Sequence, residues 1–101
     1  MDKVTDAIKK AEDKALAIED IENIGAEFVD EVIRAQEIHP APICSPAEGI
    51  AIILEEYREL EKEVFKKQSK HNYKLMRHEA VQVGAMALRF INDVIDKKKV
   101  K

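Results

Sequence analysis

Ser45-Pro46-Ala47-Glu48-Gly49-Ile50-Ala51-Ile52-Ile53-Leu54-Glu55-Glu56-Tyr57-Arg58-Glu59-Leu60-Glu61-Lys62-Glu63-Val64 is the stretch that decides the fold. Ser45 with Glu48 three residues on is a capping box, and Pro46 occupies the first helical position. Both mark a helix start. Beyond it, Ile53, Tyr57, Leu60 and Val64 recur at helical spacing, with Ile50 and Leu54 beside them. That pattern gives a helix one buried face. The spacing predicts a helix from Pro46 to about Gln68. Glu56 falls about 80° from the centre of the apolar stripe at 100° per residue. Glu59 and Glu63 continue the same edge, whereas Glu55 points outward. Gly49 leaves room for a neighbouring backbone or a ligand.

Working outward, a first helix is expected from about Thr5 to Glu37. Residues 1–20 read as a peripheral piece, rich in Ala, Lys and Glu, exposed or frayed. Its second part carries Ile21, Ile24, Phe28, Val32 and Ala35 on one stripe. Gly25 marks a bend or a close contact, and Asp20 is a candidate N-cap that would split the segment. Ile38 to Cys44 is a loop, because Pro40 and Pro42 stop a helix. Ser69 to Asn72 reads as a polar turn, and a third helix runs from about Asn72 to Lys97. From Ala80 to Ile91 its only polar side chains are Gln82 and Arg89. A helix apolar nearly all round is buried on most sides. Three helices can hardly surround it, so a homo-oligomer, dimer or tetramer, is expected to complete the core. Glu79, Gln82, Arg89 and Asp93 form one polar stripe on this helix. The acidic edge of the second helix is its expected partner, with a salt bridge to Asp93 the simplest role for Arg89.

The whole is a single all-α domain, residues 1–101: a bundle of three main helices per chain. Scarce Gly, Pro and aromatic residues agree, and 37% charged residues point to a soluble composition. A net charge of −3 offers no field for a nucleic acid polymer. No apolar run approaches the roughly 20 residues that span a membrane, and Met1 to Asp6 lacks the apolar core of a signal peptide. A single cysteine, Cys44, allows no intramolecular disulfide and suits a reducing compartment. A cytoplasmic protein is expected.

Glu56 and Glu59 share a helix face, and so do Glu79 and Gln82. Packed face to face, the two helices gather three carboxylates and an amide. Like charges at this spacing destabilise a helix, and a cation with a preference for oxygen ligands would relieve them. With no His among the donors, Mg²⁺ or Mn²⁺ fits better than zinc or iron. The zinc-protease pattern fails because Val83 stands where its second His is needed. The Glu-x-x-His of di-iron bundles is missing too. Taken alone, the Glu55–Glu59 run would be a solvated charged face.

An EExxE motif followed on the next helix by ExxD is the signature of the MazG-like all-α nucleoside triphosphate pyrophosphatases. Glu55, Glu56 and Glu59, then Glu79, match it. The passages 45-SPAEGIAIILEEYRELEKEV-64 and 79-EAVQVGAMALRF-90 resemble small, phage-type members, over about residues 24–95. The resemblance implies Mg²⁺-dependent cleavage of a nucleoside or deoxynucleoside triphosphate to the monophosphate and pyrophosphate. It places Glu56, Glu59 and Glu79 as catalytic metal ligands, with Gln82 auxiliary. Glu55 and Arg89 are lesser substrate-binding candidates. Gln82 departs from the family pattern, which has Asp there. A catalytically weak or inactive nucleotide-binding or oligomeric helical module is the alternative.

Overall fold

The computed structural model describes residues 2–97, all of whose regular structure is helical. Helix α1 is Lys3–Ile38, α2 is Pro46–Val64 and α3 is Tyr73–Phe90. A 3₁₀ turn, Gln68–Lys70, precedes α3, and a π-helical segment, Ile91–Asp96, prolongs it.

Each start is capped by a side chain accepting from the first turn. Asp2 Oδ1 takes the Thr5 N–H at 2.8 Å, Ser45 Oγ takes Glu48 N–H at 3.1 Å, and Asn72 Oδ1 takes Leu75 N–H at 3.0 Å. The reciprocal half of the capping box is displaced by one residue: Glu48 Oε2 accepts from Cys44 N–H at 3.1 Å, not from Ser45. Helix α1 ends where proline demands it, since His39, held extended before Pro40, cannot continue the helix. Asp20 caps nothing, and the helix runs on through Gly25, around which nothing packs. Helix α2 stops at Val64, short of the expected Gln68. Phe65 N–H closes its last turn on Glu61 O at 3.0 Å, and Lys66 to Lys70 present no apolar face to bury.

Helix α3 packs against both α1 and α2. Val32, Ala85 and Met86 form the central cluster, with Ala35, Ile52 and Ile53 against it. Two glycines let aromatic rings in. A Cβ on Gly84 would overlap the Phe28 ring, and one on Gly49 would overlap Phe90. The second contact turns α2. It docks by the edge that begins at Gly49, with Gly49 and Glu63 buried and Ile52, Ile53, Glu56 and Leu60 half-buried between them. The expected core stripe is therefore corrected: Ile50, Leu54, Tyr57 and Val64 are exposed. Leu88 and Ile91 face outward, as does Ile95 just beyond, so three helices of one chain do not enclose α3. Residues 2–24 are exposed throughout, with no helix laid along them. The result is an open shape, 57 × 47 × 22 Å, with a Cα radius of gyration of 18.4 Å. A compact chain of this length has about 13 Å. Among the described residues no helix is long and apolar enough to cross a membrane.

Candidate functional site

The turning of α2 carries Glu56 from the border of the buried face into the packed interface. Burial raises its carboxyl pKa above the usual range, and the charges of Glu79, Glu55, Glu59 and Glu31 raise it further. Four like charges from three helices thus act on one carboxyl. Glu31, from α1, is the member that sequence reasoning missed. Its signal was present: Phe28, Glu31 and Ala35 fall at helical spacing, so Glu31 lies on the apolar face.

The neighbours are not equivalent. Glu31 is half-buried and bonded to Arg34, whose Nε donates at 3.0 Å. That ion pair holds its pKa below the ordinary value despite burial, with help from the nearby Gln82 amide. Yet the Gln82 Nε2 group is itself buried and makes no hydrogen bond of ordinary geometry. The Glu31 carboxylate is the acceptor beside it, close enough to lower its own pKa but not aligned for a regular bond. Glu79 is half-buried, and Glu59 is exposed with its carboxylate taken by Lys62 Nζ at 3.2 Å. Among the described residues, no three His, Cys, Asp or Glu side chains converge as a metal-binding group. The carboxylates, in excess and one of them destabilised by charge, are oxygen donors of the kind a hard cation takes. A closed ligand shell would require Glu59 to leave Lys62.

Beside this cluster lies a cavity of about 560 Å³, within the range of small-molecule sites. Glu31, Arg34, Glu48, Glu55, Glu56 and Gln82 line its polar side. Ile38, Pro42, Ile43, Ile52 and Met86 line its apolar side. Glu55, although exposed, faces the cavity, whereas Glu59 and Glu79 are not among its walls. The segment 39–44 contributes most of one wall, a role that its two prolines did not announce.

The polar stripe of the third helix divides. Only Glu79 and Gln82 belong to the acidic cluster. Arg89 does form the expected salt bridge to Asp93, Nε to Oδ2 at 3.2 Å. Its partners beyond that are not on α2 but on the loop: Nη2 donates to His39 O at 2.9 Å and to Ala41 O at 2.8 Å. Arg77 pairs with Glu27 of α1, leaving Glu79 without it.

Set against protein-family models, curated proteins and solved structures, the chain matches none.

Proposed function

We propose that the protein is a Mg²⁺-dependent nucleoside triphosphate pyrophosphohydrolase of the MazG-like kind, cleaving NTP or dNTP between the α and β phosphates. The observation that carries the reading is Glu56: a part-buried carboxyl ringed by Glu79, Glu55, Glu59 and Glu31 at the edge of a nucleotide-sized cavity. Glu56, Glu79 and a Glu59 released from Lys62 would hold Mg²⁺ or Mn²⁺, with Gln82 auxiliary. The bound cation supplies charge neutralisation at the phosphates. Gln82 Nε2, which makes no regular hydrogen bond, could turn from Glu31 to a phosphate oxygen. The apolar walls at Ile38, Pro42, Ile52 and Met86 would shelter the base and sugar from water. Arg89 also lines the cavity, but its Nε and Nη2 are engaged by Asp93 and the loop, so it stays the lesser substrate-binding candidate.

A homo-oligomer, dimer or tetramer, belongs to the same proposal. The chain exposes 7954 Å², against roughly 5,800 Å² for a compact monomer of its mass. Exposed Ile50, Leu54, Tyr57, Leu88 and Ile91 supply apolar surface to bury. A cytoplasmic setting suits the single Cys44.

The test is pyrophosphate release from a panel of ordinary and modified triphosphates with Mg²⁺ or Mn²⁺. Glu56→Gln should lower the rate at least about a hundredfold, more than loss of an outer-shell group would. No release above that control at high enzyme concentration would sink the reading. The alternative, a weak or inactive nucleotide-binding module, is favoured by Gln82 in place of Asp and by the Glu59–Lys62 pair. It predicts nucleotide binding without pyrophosphate release. Gln82→Asp should tighten divalent-ion binding in calorimetry; an unchanged affinity would place Gln82 away from the cation.

A further inference from the structure

The segment 39–44 has no regular structure of its own, yet it walls the cavity and buries Ile43 almost completely, at 4% exposure. Its prolines at 40 and 42 remove two backbone donors. Glu48 of α2 holds its last residue, Cys44; the rest is fixed from α3 and its π-helical extension. Arg89 Nη2 reaches two of its carbonyls, His39 O and Ala41 O. Asp93 Oδ2 accepts its Ile43 N–H at 3.1 Å and the Arg89 Nε at 3.2 Å, while Asn92 Nδ2 donates to the other oxygen at 2.8 Å. The Arg89 and Asp93 side chains are 7% and 4% exposed. The chain switches to π-helical winding at Ile91, between the two partners. Such turns are frequent at functional sites. An ion pair needed only to hold a helix together would not spend three of its bonds on a loop about 50 residues away in sequence.

We propose that Arg89 and Asp93 are positioning residues: their buried clasp pins the 39–44 strap over the cavity and so sets the shape of the wall against which a ligand lies. The use of that wall by a nucleotide rests on the function proposed above; the hold on the strap does not. The strap would then control how well a substrate fits, with the acidic cluster left to the reacting phosphates.

Cys44, the only cysteine in the chain, sits at the end of the strap and is exposed. Because Cys44 is itself tied to Glu48 and Pro42, a nitroxide spin label is attached instead at Ala41→Cys in a Cys44→Ser chain, where it reports strap motion without any turnover. Two variants are compared with the wild type: Arg89→Lys, which keeps a charge for Asp93 but cannot fork to both carbonyls, and the double Arg89→Met/Asp93→Leu. Apolar replacement of a whole buried pair is commonly tolerated by the fold. The expected result is a restricted spectrum in the wild type and a mobile one in both variants, with helix content unchanged by circular dichroism. For a triphosphate that the wild type hydrolyses, KM should rise about tenfold and kcat change less than about twofold, as for lost ground-state fit. A mobile label in the wild type, or a restricted one in either folded variant, overturns the clasp. If the double variant loses its helix content, Arg89→Lys alone decides. If the wild type hydrolyses nothing, the function proposed above fails, and the label spectra still decide the clasp.

Discussion

Two charged clusters flank one cavity, one buried and one only partly so, and they have been settled in opposite ways. Arg89, through Nε and Nη2, and Asp93, through both carboxylate oxygens, are bonded to each other, the strap and Asn92. Glu56 faces only carboxylates that raise its pKa beyond the effect of burial. Internal pairing makes the first cluster a piece of architecture. The second keeps an uncompensated negative charge that a cation could relieve. Burial differs as well, but it is the sign of the neighbours that makes one cluster a pair and the other a repulsion.

The largest break in this comparison is Asp93→Ala. It strands Arg89 and the Ile43 N–H, and should cost about 3 kcal/mol, the low end for a broken buried pair, because only one layer of chain covers it. Urea denaturation measures this. The pH dependence follows from the Asp93 pKa. Burial raises it, but the Ile43 N–H, Asn92 and Arg89 more than offset that and leave it below the ordinary 3.8. The stabilisation is therefore present above pH 3.8 and lost as pH falls through the depressed value. The gap between wild type and Asp93→Ala should narrow in acid; a constant gap would mean that the carboxylate charge is immaterial.

Gly84→Ala should cost roughly 1–3 kcal/mol, since its methyl meets the Phe28 ring and overpacks the α1–α3 contact. A neutral result would show that α1 can slide away from α3, weakening the placement of Glu31 beside Glu56. Gly25→Ala should instead stabilise by about 0.5–1 kcal/mol, because that helical glycine has open space around it.

Glu56→Gln has the smallest expected effect on stability and the opposite sign to Asp93→Ala. Solvent screening limits the gain to about half a kcal/mol, or roughly 2–4 °C in Tm. The Glu56 pKa is raised, so its charge costs stability only once it ionises. The advantage of the variant should open above pH 4.5 and be absent below it. Mg²⁺ should raise the wild-type Tm and have less effect on the variant. If Glu56→Gln destabilises at neutral pH without metal, the like-charge account is wrong.

Much of the fold was legible locally. Pro40 and Pro42 set the first loop, and Ser45 with Pro46 set the start of α2. Long apolar periodicities excluded strands. Periodicity misplaced the inward face of α2, because it weights bulky side chains and Gly49 has none. Docking followed the gap that Gly49 leaves for Phe90, and this turned Ile50, Leu54, Tyr57 and Val64 outward. The same rotation brought Glu56 inward. For the site, spacing along single helices paired Glu56 with Glu59 and Glu79 with Gln82. It could not see Lys62 drawing Glu59 aside, nor Glu31 arriving from another helix.

By itself, the sequence determined three helices, their caps and breaks, and an excess of carboxylate over cation on two of them. Each follows from interactions within a few residues: capping bonds, the fixed φ of proline, and the period of the helix. Tertiary structure alone decided which charges find partners. Arg89 and Asp93 lie about 50 residues from the strap they hold, and Glu31 lies 25 residues before the Glu56 charge it opposes. Charge pairing depends on distance through space, which local periodicity does not encode.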